Sequence, residues 1–447
     1  MQNFIQKIAE LIPLSIAMFI LAGTIILTIK TRFVQFRAIP KMISLLYNSI
    51  FKKKKSENNK HTIEAYKALF IAMSTSIGIG NIVSPVIAIK LGGPGALFGF
   101  FLASLFGSAS TFTEVSMALK FRKKNPDGTI SGGPMQYIKE VLPSYFSLIY
   151  AVAGFFTLIV WSSNQANALS DLLQARYIPK YVTGIVLSIV ITYVLIGGIK
   201  RIGNLSAKIV PIMFLLYCSA TLWIIFNNIE KLPEVFNLIL RSAFSPKAIA
   251  GAGVGYGIQT ALRWGLAKGF FANESGLGTS TIPHSMSQTN IPINQGILSM
   301  VAVYSNGFLC LLSGLVVLVT GTWTNPELGI GINILAKAFT LYFSTPGIII
   351  LILSAFLFAF GTTVGNSYNG SQCFLYVTNN RFLKQYYFLI ALVVFLGAIS
   401  DVEFLATITD FFLIPLAIPN ILGVLILAFK RSDLIDINAR VEQKQKS

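Results

Sequence analysis

Long apolar stretches, separated by short polar and basic segments, dominate the pattern of the chain. A helix needs about 20 apolar residues to cross a hydrocarbon core about 30 Å thick, and eleven stretches approach or exceed that length. They lie at residues 11–29, 66–90, 95–119, 147–170, 181–199, 207–227, 247–271, 297–320, 346–376, 386–400 and 407–429. The pattern predicts an all-α polytopic membrane protein with about eleven transmembrane helices.

Composition supports a chain whose main partner is the lipid bilayer. Only 12% of its residues are charged, against about 25% in ordinary soluble domains, and the mean hydropathy is +0.69. So few charged side chains could not cover the surface of a water-soluble protein of 447 residues. The three cysteines all lie in apolar stretches without CxxC spacing, which argues against disulfides and a zinc site.

The uneven placement of Lys and Arg predicts the orientation in the membrane. The chain has 35 basic and 17 acidic residues, a net charge of +18. If the loop 30–67 is cytoplasmic, alternation places 27 basic residues inside, Arg263 and Lys268 among them, and 8 outside. Cytoplasmic loops are enriched in Lys and Arg. We therefore expect an inner-membrane protein with its amino terminus outside and its carboxyl terminus in the cytoplasm, and no nucleic-acid partner.

Clusters of glycine inside two apolar segments predict interrupted helices. The second segment contains STSIGIGNIVSP at residues 74–85, and the seventh has a glycine at every other position of Gly251–Gly257. Each glycine costs a helix about 1 kcal/mol relative to alanine, although close packing through small residues is an alternative. The sequence predicts helix breaks at Gly78 and Gly80 and at Gly255 and Gly257.

The spacing of the two breaks predicts an inverted repeat. The broken segments are five spans apart, so each opens a set of five, and the two sets cross the membrane in opposite senses. This pattern is typical of secondary transporters. We expect four regions: an extra transmembrane helix and basic cytoplasmic loop at 1–65, a first repeat at 66–227, a second at 228–429 and a cytoplasmic tail at 430–447.

Polar side chains near the breaks suit a hard cation. Asn81 offers a neutral oxygen at the first break, and Thr362 and Thr363 lie in the ninth segment. Such oxygens are typical ligands of Na⁺-like cations. Glu114 lies two turns before the basic loop that follows the third segment and is expected to pair locally rather than to relay protons. No span carries a midplane series of acidic residues or histidines, and hydrolase and P-loop motifs are absent. We expect no enzyme activity, no cofactor and no proton relay.

Several motifs, taken together, resemble the sodium:alanine (alanine/glycine:cation) symporter family of LeuT-type amino-acid transporters. They are GIGNIVSPVIAIKLGGPGALFGFFLASLFGSASTFTEVSMALKFR from Gly78, GGPMQYI from Gly132, QAN from Gln165, GFFANESGLGTS from Gly269 and FAFGTTVGNSYNG from Phe358. The resemblance implies the LeuT-type five-plus-five inverted repeat with an extra amino-terminal helix. It also implies Na⁺-coupled uptake of a small neutral amino acid, chiefly alanine or glycine and in some members glutamine, by a protein that functions as a monomer.

The resemblance also implies roles for individual residues. Gly78 and Gly80 would receive the substrate carboxylate, Thr362 would contact the amino group, and Tyr256 would form a wall of the pocket. One Na⁺ would bind the carbonyl of Ser76 and the side chain of Asn81. A second would bind the carbonyls of Ser74 and Ile77 and the hydroxyls of Thr362 and Thr363.

One departure from the family changes the expected substrate. Asn366 stands where family members commonly have a Trp, so this chain is expected to accept a larger or more polar amino acid. Proton-coupled or uncoupled transport on the same fold remains an alternative. An ion channel and a transporter-like sensor are alternatives from other classes.

Overall fold

The computed structural model of the protein describes residues 2–51, 62–125, 128–174, 177–244, 257–329, 331–400 and 402–437. The helices of these ranges are α1 Gln2–Lys30, α2 Val34–Arg37, α3 Ile39–Phe51, α4 Ala65–Ser76, α5 Ile79–Gly92, α6 Ala96–Lys120, α7 Pro134–Ile138, α8 Ser144–Gln174, α9 Lys180–Ile196, α10 Gly198–Phe226, α11 Leu232–Phe244, α12 Gly257–Ala272, α13 Thr281–Ser285, α14 Pro292–Val319, α15 Ile332–Val377, α16 Leu383–Ile399 and α17 Val402–Lys430. Strands Lys123–Lys124 and Ile130–Ser131 pair as a short antiparallel hairpin.

The predicted class, an all-α membrane protein, is confirmed. Within the described ranges, seven helices are long and apolar enough to span a bilayer, and α4 and α5 together make a bent eighth. The apolar helices α9 and α16 are shorter, with 17 residues each. The total of eleven spans stays a prediction, because length and composition alone do not fix it.

The first predicted break is present. Helix α4 ends at Ser76, α5 begins at Ile79, and the two are bent by 44°. Gly78 has an extended backbone between them, and Gly80 lies in the first turn of α5. The residues before and after the break therefore cross the membrane in one direction as two half-helices.

A break in the seventh segment lies further along the chain than Gly255 and Gly257, and the break predicted at these two glycines stays a prediction. Gly255 and Tyr256 fall outside the described residues, and Gly257 is the first residue of α12. Within the described part of the seventh segment, the helix ends at Ala272 and resumes as α13 at Thr281. The intervening turns carry positive φ angles at Glu274, Gly276 and Gly278, which a continuous helix cannot contain.

Packing against α6 shows that α12, the second break (Asn273–Ser280) and α13 form one broken path across the membrane. Gly265 lies against Ala96 and Gly99 at the start of α6. Ser275 lies beside Gly107 at the middle of α6, and Gly132, beyond the end of α6, lies against Ser285. The broken path thus runs parallel to α6.

The two broken helices run in opposite directions. Ile63, just before α4, pairs with the segment after α13 through a parallel bridge to Ser287. At the other end of the first broken helix, the ammonium group of Lys90 donates to the carbonyl of Trp323. This antiparallel relation is the geometry that the inverted repeat requires.

The position of α12 corrects the side assigned to two basic residues. Arg263 and Lys268 flank Gly265, which packs at the end of α6 opposite the Lys123–Ser131 hairpin. They therefore lie on the opposite side from the basic loop after α6, whereas the alternation rule had counted them on the same side. The rule failed because α12 is only the first half of this crossing, which continues through the break and α13.

Candidate functional site

The two breaks meet at the bottom of a cavity of about 660 Å³. Its walls come from the first break and α5, the second half of α8, the end of α12, α15 and α17. Its outer part, formed by Asp171 and Leu172 at the end of α8 and by Ile332 and Asn333 at the start of α15, lies toward the end of α6 that begins at Ala96. The cavity therefore opens on that side, which is the external side in the predicted topology.

Most predicted site residues line this cavity. Ser76, Gly78, Gly80, Asn81, Thr362 and Asn366 all contribute to its surface. Ser74, Ile77 and Thr363 do not line it and are buried. Tyr256 lies outside the described residues, so the wall predicted for it is not described.

The side chain of Thr362 extends from α15 and contacts the first break. Its hydroxyl lies 2.9 Å from the carbonyl oxygen of Ser74 and 3.0 Å from that of Ile77. Both carbonyls lack the helical partners that a continuous α4–α5 helix would supply. One hydroxyl proton can serve only one of these oxygens at a time, so this cluster has spare oxygen ligands.

Thr363 faces the other way. Its hydroxyl donates to the carbonyl of Ala359, one turn earlier in α15, at 2.7 Å. The structure thus brings Thr362 together with Ser74 and Ile77, as predicted, and leaves Thr363 in a local helical hydrogen bond. The hydroxyl oxygen of Ser74 is buried beside Gly361 and has no hydrogen-bond partner within the described ranges.

The first backbone N–H groups of α5 have no partner within the helix, as at other helix amino termini, and can donate to side chains or to a ligand. The N–H of Ile79 donates to Oε1 of Gln165 at 2.9 Å, and the N–H of Gly78 donates to Oδ1 of Asn81 at 3.2 Å. A methyl group at Gly78 would come within 2.8 Å of both Gln165 and Thr362. Glycine is therefore required there for the side chains of α8 and α15 to reach the break.

Gln165 was not singled out as a site residue from the sequence, although the QAN motif contains it. Its side chain reaches the break from α8, which is 86 residues away along the chain. No local pattern at Gln165 signals this contact, because it depends on how α8 packs against the break.

Polar groups at Asn81 and Asn366 remain unsatisfied. Nδ2 of Asn81 and Oδ1 of Asn366 are buried and have no hydrogen-bond partner among the described residues, and both residues line the cavity. Buried polar atoms are normally paired. These two atoms are thus available to a ligand in the cavity.

Side chains from four elements hold the carbonyls of the second break. Asn306 of α14 donates to Ala272, and Tyr150 of α8 donates to Leu277 at 2.7 Å. Asn369 of α15 donates to Thr279 at 3.2 Å, and Asn420 of α17 donates to Gly276 at 2.9 Å. Irregular backbone at membrane depth needs such partners, and here protein side chains supply them.

Two carboxyl groups are buried at this break. Glu274 is 2% exposed and lines the cavity, and the hydroxyl of Thr279 donates to its Oε2. Glu114 of α6 accepts from Ser110 at 2.7 Å and from Asn420 at 3.3 Å. Glu114 thus pairs locally with Ser110, one turn earlier in α6, and no ion pair in the described ranges includes it. Glu274 is a cavity-lining carboxyl group that the candidate residues drawn from the sequence do not include.

The opposite mouth is closed by backbone pairing and an arginine. The N–H of Ile63 donates to Met286 at 3.0 Å, and the N–H of Gln288 donates to Ile63 at 2.8 Å. The guanidinium of Arg122 donates to the carbonyls of Ser285 and Ser287 at 2.9 and 2.5 Å. Burial lowers the pKa of Arg122 from its ordinary value, but an arginine remains charged at any physiological pH.

Comparison with known proteins assigns this architecture to a family. The sodium:alanine symporter family model matches residues 1–447. The chain is 35% identical over 415 residues to a transporter of Haemophilus influenzae, covering 91% of this chain and 89% of that one. It is 33% identical over 420 residues to the sodium/alanine symporter AgcS of Methanococcus maripaludis, covering 92% and 91%.

Solved structures agree on the fold. An outward-open, substrate-bound Na⁺-coupled sialic acid symporter superimposes with a TM-score of 0.57 at 13% identity, over 90% of this chain and 87% of that one. This neighbour has the LeuT fold. The LeuT-type fold predicted for the chain is thereby confirmed. The chain is a membrane transporter and no enzyme, and it belongs to the sodium:alanine symporter family.

Proposed function

We propose that the chain carries a small neutral amino acid into the cytoplasm together with Na⁺, by alternating access. The observation that carries this proposal is the cluster formed by Thr362 and the carbonyls of Ser74 and Ile77. It joins the first break to α15 through oxygen atoms within 3.0 Å of one hydroxyl. Hydroxyl and carbonyl oxygens are the ligands that a hard cation prefers.

One Na⁺ would bind at this cluster. Its ligands are the carbonyls of Ser74 and Ile77 and the hydroxyls of Thr362 and Thr363. Thr363 joins only after its hydroxyl turns away from Ala359. The change Thr363→Ala should therefore weaken the Na⁺ dependence of uptake more than it alters substrate choice, and an unchanged apparent Na⁺ affinity would contradict this assignment.

A second Na⁺ would bind at the carbonyl of Ser76 and the side-chain oxygen of Asn81. The support is that Oδ1 of Asn81 lies at the break, where it accepts only the N–H of Gly78. Na⁺ at this oxygen would release that N–H for the substrate. Cation binding and substrate binding would thus favour each other at the first break.

The substrate carboxylate would bind the N–H groups at Gly78 and Gly80, with Ile79 between them. Gln165 now supplies an oxygen to this position, as a carboxylate would. The amino group would contact Thr362, and Asn366 and Tyr256 would form walls. Because Asn366 adds an unpaired buried oxygen, we expect alanine and glycine to compete with larger polar amino acids such as glutamine.

Alternating access would move the first repeat, 66–227, against the second, 228–429, around this site. The extra helix within 1–65 and the tail 430–447 lie outside the repeats. We propose that the protein acts as a monomer in the cell inner membrane, with its amino terminus outside and its carboxyl terminus in the cytoplasm. In this orientation the cavity faces the external solution.

Uptake into proteoliposomes tests the proposal. Radiolabelled alanine, glycine and glutamine are offered with an inward Na⁺ gradient, with an inward proton gradient, and with neither. The proposal expects accumulation that requires Na⁺. Accumulation driven by protons alone would support proton coupling on the same fold, and exchange without any gradient would support uncoupled transport.

A further inference from the structure

Glu274 has an unusual backbone for its residue type. Its φ is +52°, in the left-handed region, where glycine is favoured and a residue with a Cβ is disfavoured. The same break uses glycine at its other left-handed positions, Gly276 and Gly278. A glycine at position 274 would fit the turn with less strain. A strained residue retained at a ligand cavity indicates that its side chain is needed.

The surroundings of Glu274 leave its charge unbalanced. The carboxyl group is buried and faces the cavity, with the hydroxyl of Thr279 as hydrogen-bond donor. No basic side chain in the described part of the chain forms an ion pair with it. The second buried carboxyl at this break, Glu114, also lacks an ion pair there. A buried carboxylate is strongly unfavourable without a compensating positive charge.

Other titratable groups near Glu274 do not supply that charge. They are Glu114 on α6, Tyr137 on α7, Tyr150 and Asp171 on α8 and Lys268 on α12. Asp171 is paired with Lys180. Lys268 lines the cavity and lies over the ring of Trp264. The nearby α4 and α5 contribute hydroxyl, amide and backbone groups to the cavity and no titratable ones.

We propose that Glu274 binds a monovalent cation, a proton or Na⁺, from the external side of the cavity, in addition to the cations assigned to the first break. The inference rests on the proposed function only in that this cation would travel with the amino acid. If the cation is a proton, it binds a carboxylate oxygen from outside and leaves the same oxygen toward the cytoplasm, with no redox change. If it is Na⁺, the carboxylate and the neighbouring hydroxyls provide hard oxygen ligands.

Cation-dependent thermal stability tests this without transport. Thermal unfolding of the purified protein is measured without amino acid in two series. The first compares the Tm with and without Na⁺ at about pH 8. The second follows the Tm from about pH 8 to about pH 6, with a large organic cation in place of Na⁺. A cation that binds only the folded protein raises the Tm. If Glu274 binds Na⁺, the first series shows a shift that Glu274→Gln reduces. If it binds a proton, the second series shows a Tm that rises as the pH falls, because the folded state holds a proton that the unfolded chain releases.

The variants separate this site from its neighbours. Glu274→Gln keeps the shape of the side chain and removes its charge, and Glu274→Asp should recover part of the effect. Glu114→Gln removes the other buried carboxyl, which does not line the cavity. It should keep the Na⁺ shift and the part of the pH response that Glu274→Gln removes. Thr362→Val should reduce only the Na⁺ shift that belongs to the first break. A variant that has a lower Tm without cation is still informative, since the cation-induced shift in Tm is measured for each variant separately.

The inference is overturned if Glu274→Gln responds to Na⁺ and to pH as the unchanged protein does, or if Glu274→Gln has no further effect on these responses in a Glu114→Gln background. A protein that binds the cation at Glu274 but fails to accumulate any amino acid would support this site and contradict the proposed function. Failure of the cation site at Glu274 and failure of the proposed function therefore give different results.

Discussion

The side-chain oxygen of Gln165 accepts a hydrogen bond of 2.9 Å from the backbone N–H of Ile79, at the start of the half-helix α5. A helix amino terminus favours negative charge, and an amide oxygen here carries only a partial one. Gln165 therefore occupies the position that we propose for the substrate carboxylate, which would make the stronger contact.

The change Gln165→Glu should inhibit transport by placing a fixed carboxylate at that position. A hydrogen bond to a charged group contributes about 1.5–3 kcal/mol, so we expect the KM for alanine to rise roughly 10- to 100-fold. Uptake into proteoliposomes measures it. Gln174→Glu, at the exposed end of the same helix, is the matched control and should leave KM unchanged. An unchanged KM in Gln165→Glu would show that the carboxylate binds elsewhere.

Thr362→Val should impair Na⁺ binding more than Thr362→Ser. Valine keeps the volume of threonine but leaves the carbonyls of Ser74 and Ile77 without the hydroxyl, and an unsatisfied buried polar group costs about 1–3 kcal/mol. We expect the apparent Na⁺ affinity to fall roughly tenfold or more in the valine variant. Uptake at varied Na⁺ concentration measures this. Equal Na⁺ dependence in the two variants would contradict a direct role of the hydroxyl.

Asn366→Trp should narrow the range of substrates toward alanine and glycine. The side chain of Asn366 is 1% exposed and lines the cavity, so an indole would occupy space that a longer substrate needs. Competition of unlabelled glutamine and asparagine against labelled alanine measures the change. Asn333→Trp, on an exposed residue at the mouth of the cavity, controls for bulk alone. Undiminished competition in Asn366→Trp would refute the assignment.

Arg122→Ala should loosen the closed mouth. It removes donors to the carbonyls of Ser285 and Ser287, which lie beside the paired segment of Ile63. Each bond to a charged donor contributes about 1.5–3 kcal/mol, so amide hydrogen exchange at Ile63 and Gln288 should become roughly tenfold faster or more. Lys124→Ala, on an exposed neighbour, should not change exchange. Unchanged rates in Arg122→Ala would show that backbone pairing alone closes this side.

Gly265→Ala should destabilise the packing of α12 on α6. A methyl group at Gly265 would collide with the backbone oxygen of Ala96, which cannot move without displacing α6. Overpacking of this kind costs about 1–3 kcal/mol, and thermal unfolding in detergent measures it. The matched control is Gly203→Ala in α10, where the nearest atom lies 3.4 Å from the added methyl group. An equal Tm in both variants would argue against close contact between the two helices.

The family resemblance and the glycine pattern predicted the first break correctly because its cause is local. Gly78 and Gly80 weaken the helix within the segment itself, and Asn81 follows at once. The contact of Thr362 with the carbonyls of Ser74 and Ile77 agrees with the expectation drawn from the family. That contact joins residues nearly 290 positions apart, so spacing alone could not have produced it.

The break at Asn273–Ser280 was not predicted from the sequence because its cause is not local. Alternate glycines at residues 251–257 are the stronger helix-breaking signal in the sequence, whereas NESGLGTS contains only two glycines. In the structure, Asn306, Tyr150, Asn369 and Asn420 stabilise the turns of Asn273–Ser280 from distant helices. Hydropathy could not anticipate those partners.

The sequence by itself determined the membrane environment, the class of fold, the family and the first break, because hydropathy, glycine content and motifs are properties of contiguous residues. Only the tertiary structure decided which polar groups share the cavity. It placed Gln165 against Ile79 and Glu274 beside the cavity. It also directed the Thr363 hydroxyl to Ala359 rather than to the break, and placed Arg263 and Lys268 on the side opposite the basic loop after α6. Each of these outcomes depends on how helices far apart in the chain pack together, and no local pattern encodes that packing.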